Sequence, residues 1–352
     1  MKQQIDRPID IVITYLDGED PAWLDEKKYW QAKLEGIDPD SNGEARYRNT
    51  DNFQYILRGI DLYAPWVRKI HIVTWGHLPD WLDTDHPKIA VVSHRDFIPE
   101  DCLPTFNSNT IELYMDRIPG LAEQFIIFND DTFLINPTKP SHFFSDGKPV
   151  LQLMHAPFMP SWSLFSNNIL ALNSIVGTDH LISPKMFSYK NGLFAMLSNI
   201  YLVPLLLFYK RFLGFRSSHL PLPHTKTIYQ EVKGALPAHI AYTSHAKFRD
   251  WRHVLSINHW LMADYARATN RFEPHNAFKF GKLVDIKADI EIEALVDSRY
   301  KVICLADSDA LDESEFGRSM ARINCAFARK FPKKSCFERY EIDDKTRNTT
   351  GY

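Results

Sequence analysis

Four short runs dominated by Ile, Val and Phe recur within the first 135 residues: IDIVITYL (9–16), KIHIVTW (69–75), KIAVVSH (88–94) and QFIIFND (124–130). Continuous apolar runs of this length are the pattern of strands buried on both faces. Between the first two, Phe53, Ile56, Leu57 and Ile60 fall at helical spacing until Pro65 stops the pattern. Before the fourth, Ile111, Met115 and Ile118 share a helical face behind a cap at Asn107 or Ser108. Strands that alternate with helices predict an α/β fold with a mostly parallel sheet, and such sheets take ligands at the carboxyl ends of their strands.

Polar groups gather at those ends. Asp17 and Gly18 follow the first run, Trp75 and Gly76 the second, His94 the third, and Asn129, Asp130 and Asp131 the fourth. Neighbours on a regular strand point to opposite faces, so Asp130 and Asp131 can serve one ligand only where the strand ends and the chain turns. A divalent cation, Mg²⁺ or Mn²⁺, would account for the paired carboxylates, because hard ions take carboxylate oxygens and share their shell with substrate phosphates. Asn-Asp-Asp is also ordinary turn composition. Asn107, Ser108 and Asn109 open a helix, where free N–H groups favour an anion and where capping alone would explain the same residues.

Residues 150–245 change character, with Pro and His around the apolar segment LFAMLSNIYLVPLLLFYKRFLGF (193–215), and predict an inserted helical or lid region. Ser198, Asn199 and Pro204 interrupt that segment, and a bilayer span needs roughly 20 apolar residues. A buried helix or an interfacial helix is therefore expected ahead of a span, with Lys210, Arg211 and Arg216 suited to anionic headgroups and residues 193–216 to peripheral membrane contact. Downstream, WRHVLSINHWLMADYARA (251–268) is helical in pattern, and YKVICLADSD (300–309) reads as a fifth strand of the same sheet with Asp307 at its tip. The organisation expected is residues 1–149 and 246–341 forming the core, 150–245 inserted, and a loose tail at 342–352.

Lys and Arg total 41 against 44 Asp and Glu, so no bulk basic charge exists to neutralise a nucleic acid, and none is expected as a partner. Cys102, Cys304, Cys325 and Cys336 form no CxxC pair, which argues against a zinc ribbon. The N-terminus lacks the basic start and small-residue cleavage site of a secretory signal, so a cytoplasmic setting is expected.

Three blocks, DIVITYLDGEDPAW, RYRNTDNFQYILRGIDLYAPWVRKIHIVTWGHLPDWL and LPTFNSNTIELYMDRIPGLAEQFIIFNDDTF, carry a resemblance to a known family. It extends through PLPHTKTIYQEV to KFRDW and through KVICLADSD to FPKKSCFE. Together they resemble the Stealth family of sugar-phosphate transferases. The resemblance implies a Rossmann-like nucleotide-sugar transferase core with an inserted helical region. It further implies a UDP-sugar donor, a glycan acceptor that can be lipid-linked, a phosphodiester product and UMP as leaving group. The setting implied is capsule or exopolysaccharide synthesis at the inner face of the cell membrane.

By that matching, Asp130 and Asp131 form the metal site with Asp307 as a third ligand, although relatives often carry Asn-Asp where this chain has Ala306-Asp307. Asp131, His224 and Arg249 become the catalytic residues, His224 as general base and Arg249 on the diphosphate. Asp17, Gly18, Arg48, Arg58, Asn107, Ser108, Asn109 and Asn129 are expected along the nucleotide-sugar. A conventional glycosyltransferase releasing UDP would place a similar acidic pair at a strand end.

Overall fold

All four runs form strands: β1 (Ile9–Tyr15), β2 (Ile70–Thr74), β3 (Ile89–Ser93) and β4 (Gln124–Phe128). The computed structural model describes residues 7–37, 42–43, 47–48, 50–157, 164–287, 290–306 and 311–339. Later strands are β5 (Thr132–Leu134), β6 (Phe144–Ser145), β7 (Lys148–Leu151), β8 (Leu222–Thr225), β9 (Glu273–Pro274), β10 (Gly281–Asp285) and β11 (Val302–Ala306). The central sheet runs β3-β2-β1-β4-β8, parallel through its first four strands and antiparallel at the β4–β8 pair.

Side-chain alternation divides the apolar runs between two cores. Ile11, Ile13, Ile70, Ile72, Ile126 and Phe128 face one layer, whereas Val12, Val73, Phe125 and Ile127 face the other. The first layer receives α2 (Phe53–Tyr63), which buries Phe53, Ile56, Leu57 and Ile60, and α11 (Glu313–Lys330), capped by Asp312. The second receives α3 (Ser108–Tyr114), α4 (Leu164–Ile175), α6 (Lys226–Ala235) and α8 (Trp260–Ala268). Each fully buried aliphatic or aromatic side chain contributes about 1.5–3 kcal/mol. The remaining helices are α1 (Pro21–Lys33), α5 (Leu193–Tyr209), α7 (Pro237–His245) and the short α9 (Ala277–Phe280) and α10 (Ile292–Val296).

Three findings differ from the pattern in the sequence. Within the run at 300–309, Val302–Ala306 form β11, but in a second sheet, β10-β11-β5, and not in the central one. The place beside β4 is taken by β8, which comes from the region read as an insert, and β11 pairs instead with β5 just past the Asn-Asp-Asp turn. Asp307 itself lies outside the described residues, as does the tail at 342–352. Finally, helix α8 starts only at Trp260, because Asn167 of α4 donates to the carbonyls of Trp251 and His253 and holds that stretch out of the helix.

Candidate active site

Strand register fixes where the functional ends meet. Ile13 pairs with Phe128 across β1 and β4, so residues 129–131 stand beside Thr14–Leu16 and the Asp17–Gly18 corner. Strand β4 stops because Thr132 N–H donates back to the Asn129 carbonyl at 3.2 Å, closing a turn that carries Asn129, Asp130 and Asp131. Beyond it, Leu305 N–H donates to the Asp131 carbonyl at 2.9 Å and the chain enters the second sheet. Asp130 is exposed and Asp131 half-buried, so the turn opens to solvent in a cleft at the carboxyl edge of the sheet, while the protein packed beneath it weighs against charge on both carboxyls. Burial and then the charge of Asp130 push the Asp131 carboxyl up to about 6, against hydrogen bonds from Thr132 and Cys304. Burial also raises Asp130, and Arg249 opposes it.

Arg249 is held rigidly from several directions. Its Nε and Nη2 donate to Ser108 Oγ at 3.1 and 2.6 Å. Its backbone exchanges two bonds with the Asn42 side chain, at 3.1 and 2.9 Å. Behind them Phe106 and Phe248 stack with centroids 5.2 Å apart, and Phe106 N–H donates to the Lys247 carbonyl at 2.8 Å. These rings join Trp23, Leu16, Tyr47 and Trp75 in a small cluster that ties the arginine's segment to the ends of β1 and β2.

Glu112 lies one helical turn beyond Ser108 on α3. Burial pushes its carboxyl up to about 7, even though the Arg249 charge, the His259 backbone N–H and the Ser108 hydroxyl all favour the ionised form. Its Oε2 is buried and, among the described residues, has no hydrogen-bond partner. His259 Nε2 stands 3.8 Å from that oxygen, and His259 Nδ1 is 3.2 Å from His224 Nε2. His259 also lines, with Asn129, His219 and Trp260, a small cavity at the end of β4.

His224 is 2% exposed in the middle of β8 opposite Phe125, between the rings of Phe125 and Tyr229. Burial lowers its imidazole to about 3. It meets the cleft through His259 and does not open onto the cleft directly. Asp17 Oδ1 accepts from Glu19 N–H at 3.0 Å, and Asp17 N–H donates to His77 Nε2 at 2.8 Å, so the first corner is a built turn. A Cβ on Gly18 would fall 1.7 Å from the Tyr47 carbonyl oxygen, which demands glycine there on steric grounds alone.

Several expected ligand residues have structural partners instead. Arg58 forms a fork with Glu338, at 2.7 Å from both Nε and Nη2, and donates to the Phe331 carbonyl; this guanidinium is committed to the packing of α2 and is not in the cleft. Arg48 lies over the Phe316 ring and pairs with Glu313 at 3.0 Å, against α11. Asn107 is fully buried, caps α3 through Asn109 N–H and donates to the Ala246 and Thr243 carbonyls, tying α3 to α7. Asn109 is buried beside it. Of this helix start, Ser108 alone is engaged with the cleft arginine.

The acidic turn fits a hard divalent cation by its donor chemistry. Two carboxyls and the Asn129 amide occupy one turn; burial disfavours ionisation of both carboxyls and the charge of Asp130 adds to it at Asp131, so a positive charge there would be favourable. Among the described residues, three His, Cys, Asp or Glu ligand atoms converge only at Asp101, Cys102 and His245, so no third ligand of these types joins the two carboxyls of the turn there.

Sequence reading missed Glu112, His259 and the Phe106–Phe248 stack. Glu112 was visible as the residue four positions after Ser108; the stack joins segments 142 residues apart and leaves no local signal.

The carboxyl edge of this α/β sheet thus presents paired aspartates near a clamped arginine, the kind of polar edge at which α/β enzymes bind ligands. Residues 46–151 match the family model described as Stealth protein CR2, conserved region 2. The chain is 35% identical over 338 residues to a capsular polysaccharide phosphotransferase WcwK of Streptococcus pneumoniae, covering 94% of this chain and 99% of that protein. It is 32% identical to the exopolysaccharide phosphotransferase cps2G of Lactiplantibacillus plantarum, covering 94% and 96% respectively. Among solved structures it is similar to the galactosyltransferase LgtC in complex with donor and acceptor sugar analogs, at 8% identity, 91% and 95% coverage and a TM-score of 0.39, too loose a likeness to bear on function. The chain belongs to the Stealth family and is a phosphotransferase of that family.

Proposed function

We propose that the protein transfers a sugar 1-phosphate from a UDP-sugar to a hydroxyl of a glycan acceptor, in bacterial surface polysaccharide synthesis on the cytoplasmic side of the membrane. The acceptor oxygen attacks the phosphorus bonded to the sugar, the bridging P–O bond to the uridylyl group breaks, and UMP leaves. The anomeric C–O bond stays intact, and a phosphodiester joins sugar and acceptor. The observation that carries this reading is the pairing of the Asp130–Asp131 turn with Arg249, fixed on Ser108 and close enough for its charge to act on Asp130 and Glu112.

Each residue has a physical task in that reaction. With Nε and one Nη2 proton on Ser108, Arg249 offers the Nη1–Nη2 end of its guanidinium to the diphosphate, where a permanently charged planar donor is strongest. Ser108 holds that guanidinium in place and Glu112 in turn accepts from Ser108, so little reorganisation is needed as charge develops. Asp131, where the turn passes into β5, is the candidate to orient the acceptor hydroxyl and take its proton. His224 acts as a positioning residue, orienting His259 against Glu112. Mg²⁺ or Mn²⁺, held by Asp130 and Asp131, with Asp307 as a candidate third ligand, would neutralise diphosphate charge when bound. Asp17, Gly18 and Asn129 shape the corner beside the donor.

Incubation with a panel of UDP-sugars and a glycan acceptor, followed by nucleotide chromatography, tests the reading. UMP is the expected product. UDP would show attack at the anomeric carbon and establish a conventional glycosyltransferase instead.

A further inference from the structure

Helix α5 presents to solvent the kind of face that water-facing helices avoid. No charged residue occurs along its 17 positions. Ala195, Asn199, Leu202 and Leu206 form its buried stripe, half-buried Met196, Ser198 and Val203 flank it, and the opposite side is exposed. Tyr201 is 80% exposed, Phe208 78% and Leu193 67%, with Phe194 and Leu197 beside them, and the turn before the helix adds Tyr189 at 81%. Contiguous apolar surface of this kind marks an interaction site.

The helix cannot swing to hide this face. Asn199 is fully buried and donates to the Leu153 and Met186 carbonyls at 2.9 and 3.0 Å while accepting from His155 N–H at 2.7 Å. Neither can it span a bilayer: 17 residues reach about 26 Å, short of a hydrocarbon core of about 30 Å, and Pro204 sits inside it. Among the described residues no helix is long and apolar enough to cross a membrane.

Charge selects the occupant. No Asp or Glu occurs between Asp179 and Glu231, whereas Lys190, Lys210, Arg211 and Arg216 are exposed in the same stretch. A second copy related by a twofold axis would oppose this patch with itself, bringing unneutralised cations together. An anionic lipid surface offers both an apolar interior and negative headgroups. We infer that α5 and the turn before it dock flat on an anionic bilayer, with Tyr201 and Phe208 immersed and Lys190, Lys210 and Arg211 at headgroup level.

The placement also connects to the cleft. Arg216 begins a run whose Ser217, Ser218 and Leu220 line one cavity and whose His219 and Leu220 line the cavity beside Asn129. A lipid-borne acceptor would reach the acidic turn along this path, a link that rests on the proposed reaction; the docking itself does not.

Co-sedimentation of the full chain with phosphatidylcholine vesicles, with and without phosphatidylglycerol, tests the inference without requiring turnover. Wild type is expected to bind the anionic vesicles, less so at high salt. Tyr201→Ser with Phe208→Ser should bind at least about tenfold more weakly. Lys210→Gln with Arg211→Gln should lose roughly fivefold per cation on anionic vesicles and little on neutral ones. All four positions are exposed, so unchanged thermal melts are expected to accompany these losses. Absence of wild-type binding, or binding by the Ser pair equal to wild type, would overturn the inference. So would a dimer in sedimentation velocity that the Ser pair dissociates, with no vesicle binding, since the face would then join two copies.

Discussion

Replacing Glu112 by Gln should weaken the enzyme and stabilise the fold, with a pH dependence set by one carboxyl. An ordinary glutamate titrates near 4.3, and burial holds Glu112 up to about 7. The difference corresponds to roughly 3–4 kcal/mol against the ionised form. Its side chain is 14% exposed, so solvent screening removes little of this. Below the unfolded value both states are protonated and the carboxyl costs nothing. Between about 4.3 and 7 the native protein keeps a proton that the unfolded chain releases, so native stability falls as pH rises, and above about 7 the full cost is present. Gln cannot ionise. Its stability advantage over Glu should therefore grow by about 2–3 kcal/mol between pH 5 and pH 8, read from urea unfolding of both proteins at each pH. At pH 8, where Glu112 is ionised, activity should fall roughly 10- to 100-fold, because a neutral amide replaces a charged acceptor next to Ser108 and Arg249. A stability difference equal at pH 5 and pH 8 would refute the assignment of Glu112 as a strained, buried acid.

The remaining predictions concern neighbouring groups. Asp131→Asn should reduce kcat by roughly 10² to 10⁴ with the far-UV spectrum unchanged, and a loss smaller than tenfold would take Asp131 out of the reaction. Arg58→Met should leave the Glu338 carboxylate, 4% exposed, without its ion-pair partner and cost about 3–5 kcal/mol in urea unfolding, while the donor KM stays at its wild-type value. Chelation with EDTA should abolish turnover and added Mg²⁺ or Mn²⁺ should restore it; full activity in EDTA would remove the metal from the proposal.

What the sequence disclosed and what it withheld follow the range of the interactions. The four strands, the helix at Phe53–Tyr63 and the acidic turn depend on local periodicity and chain reversal, and all stand where the pattern places them. The sheet to which β11 belongs was not legible, because a strand's partner is chosen by a competition that β8 won at the edge of β4. Arg58 illustrates the same limit: a motif arginine looks identical whether its fork meets phosphate or a glutamate 280 residues away. His224 differs in kind. The family match selects the residue, and only tertiary packing reveals that His259 stands between it and the cleft.

The account rests on which bond breaks, and an isotope reports that directly. With UDP-sugar carrying ¹⁸O in the bond between the anomeric carbon and phosphorus, phosphorus NMR of the products should find the label in the new phosphodiester, with unlabelled UMP beside it. Label recovered in free UDP would mean that the anomeric bond had been cut, and sugar-phosphate transfer at this cleft would be excluded.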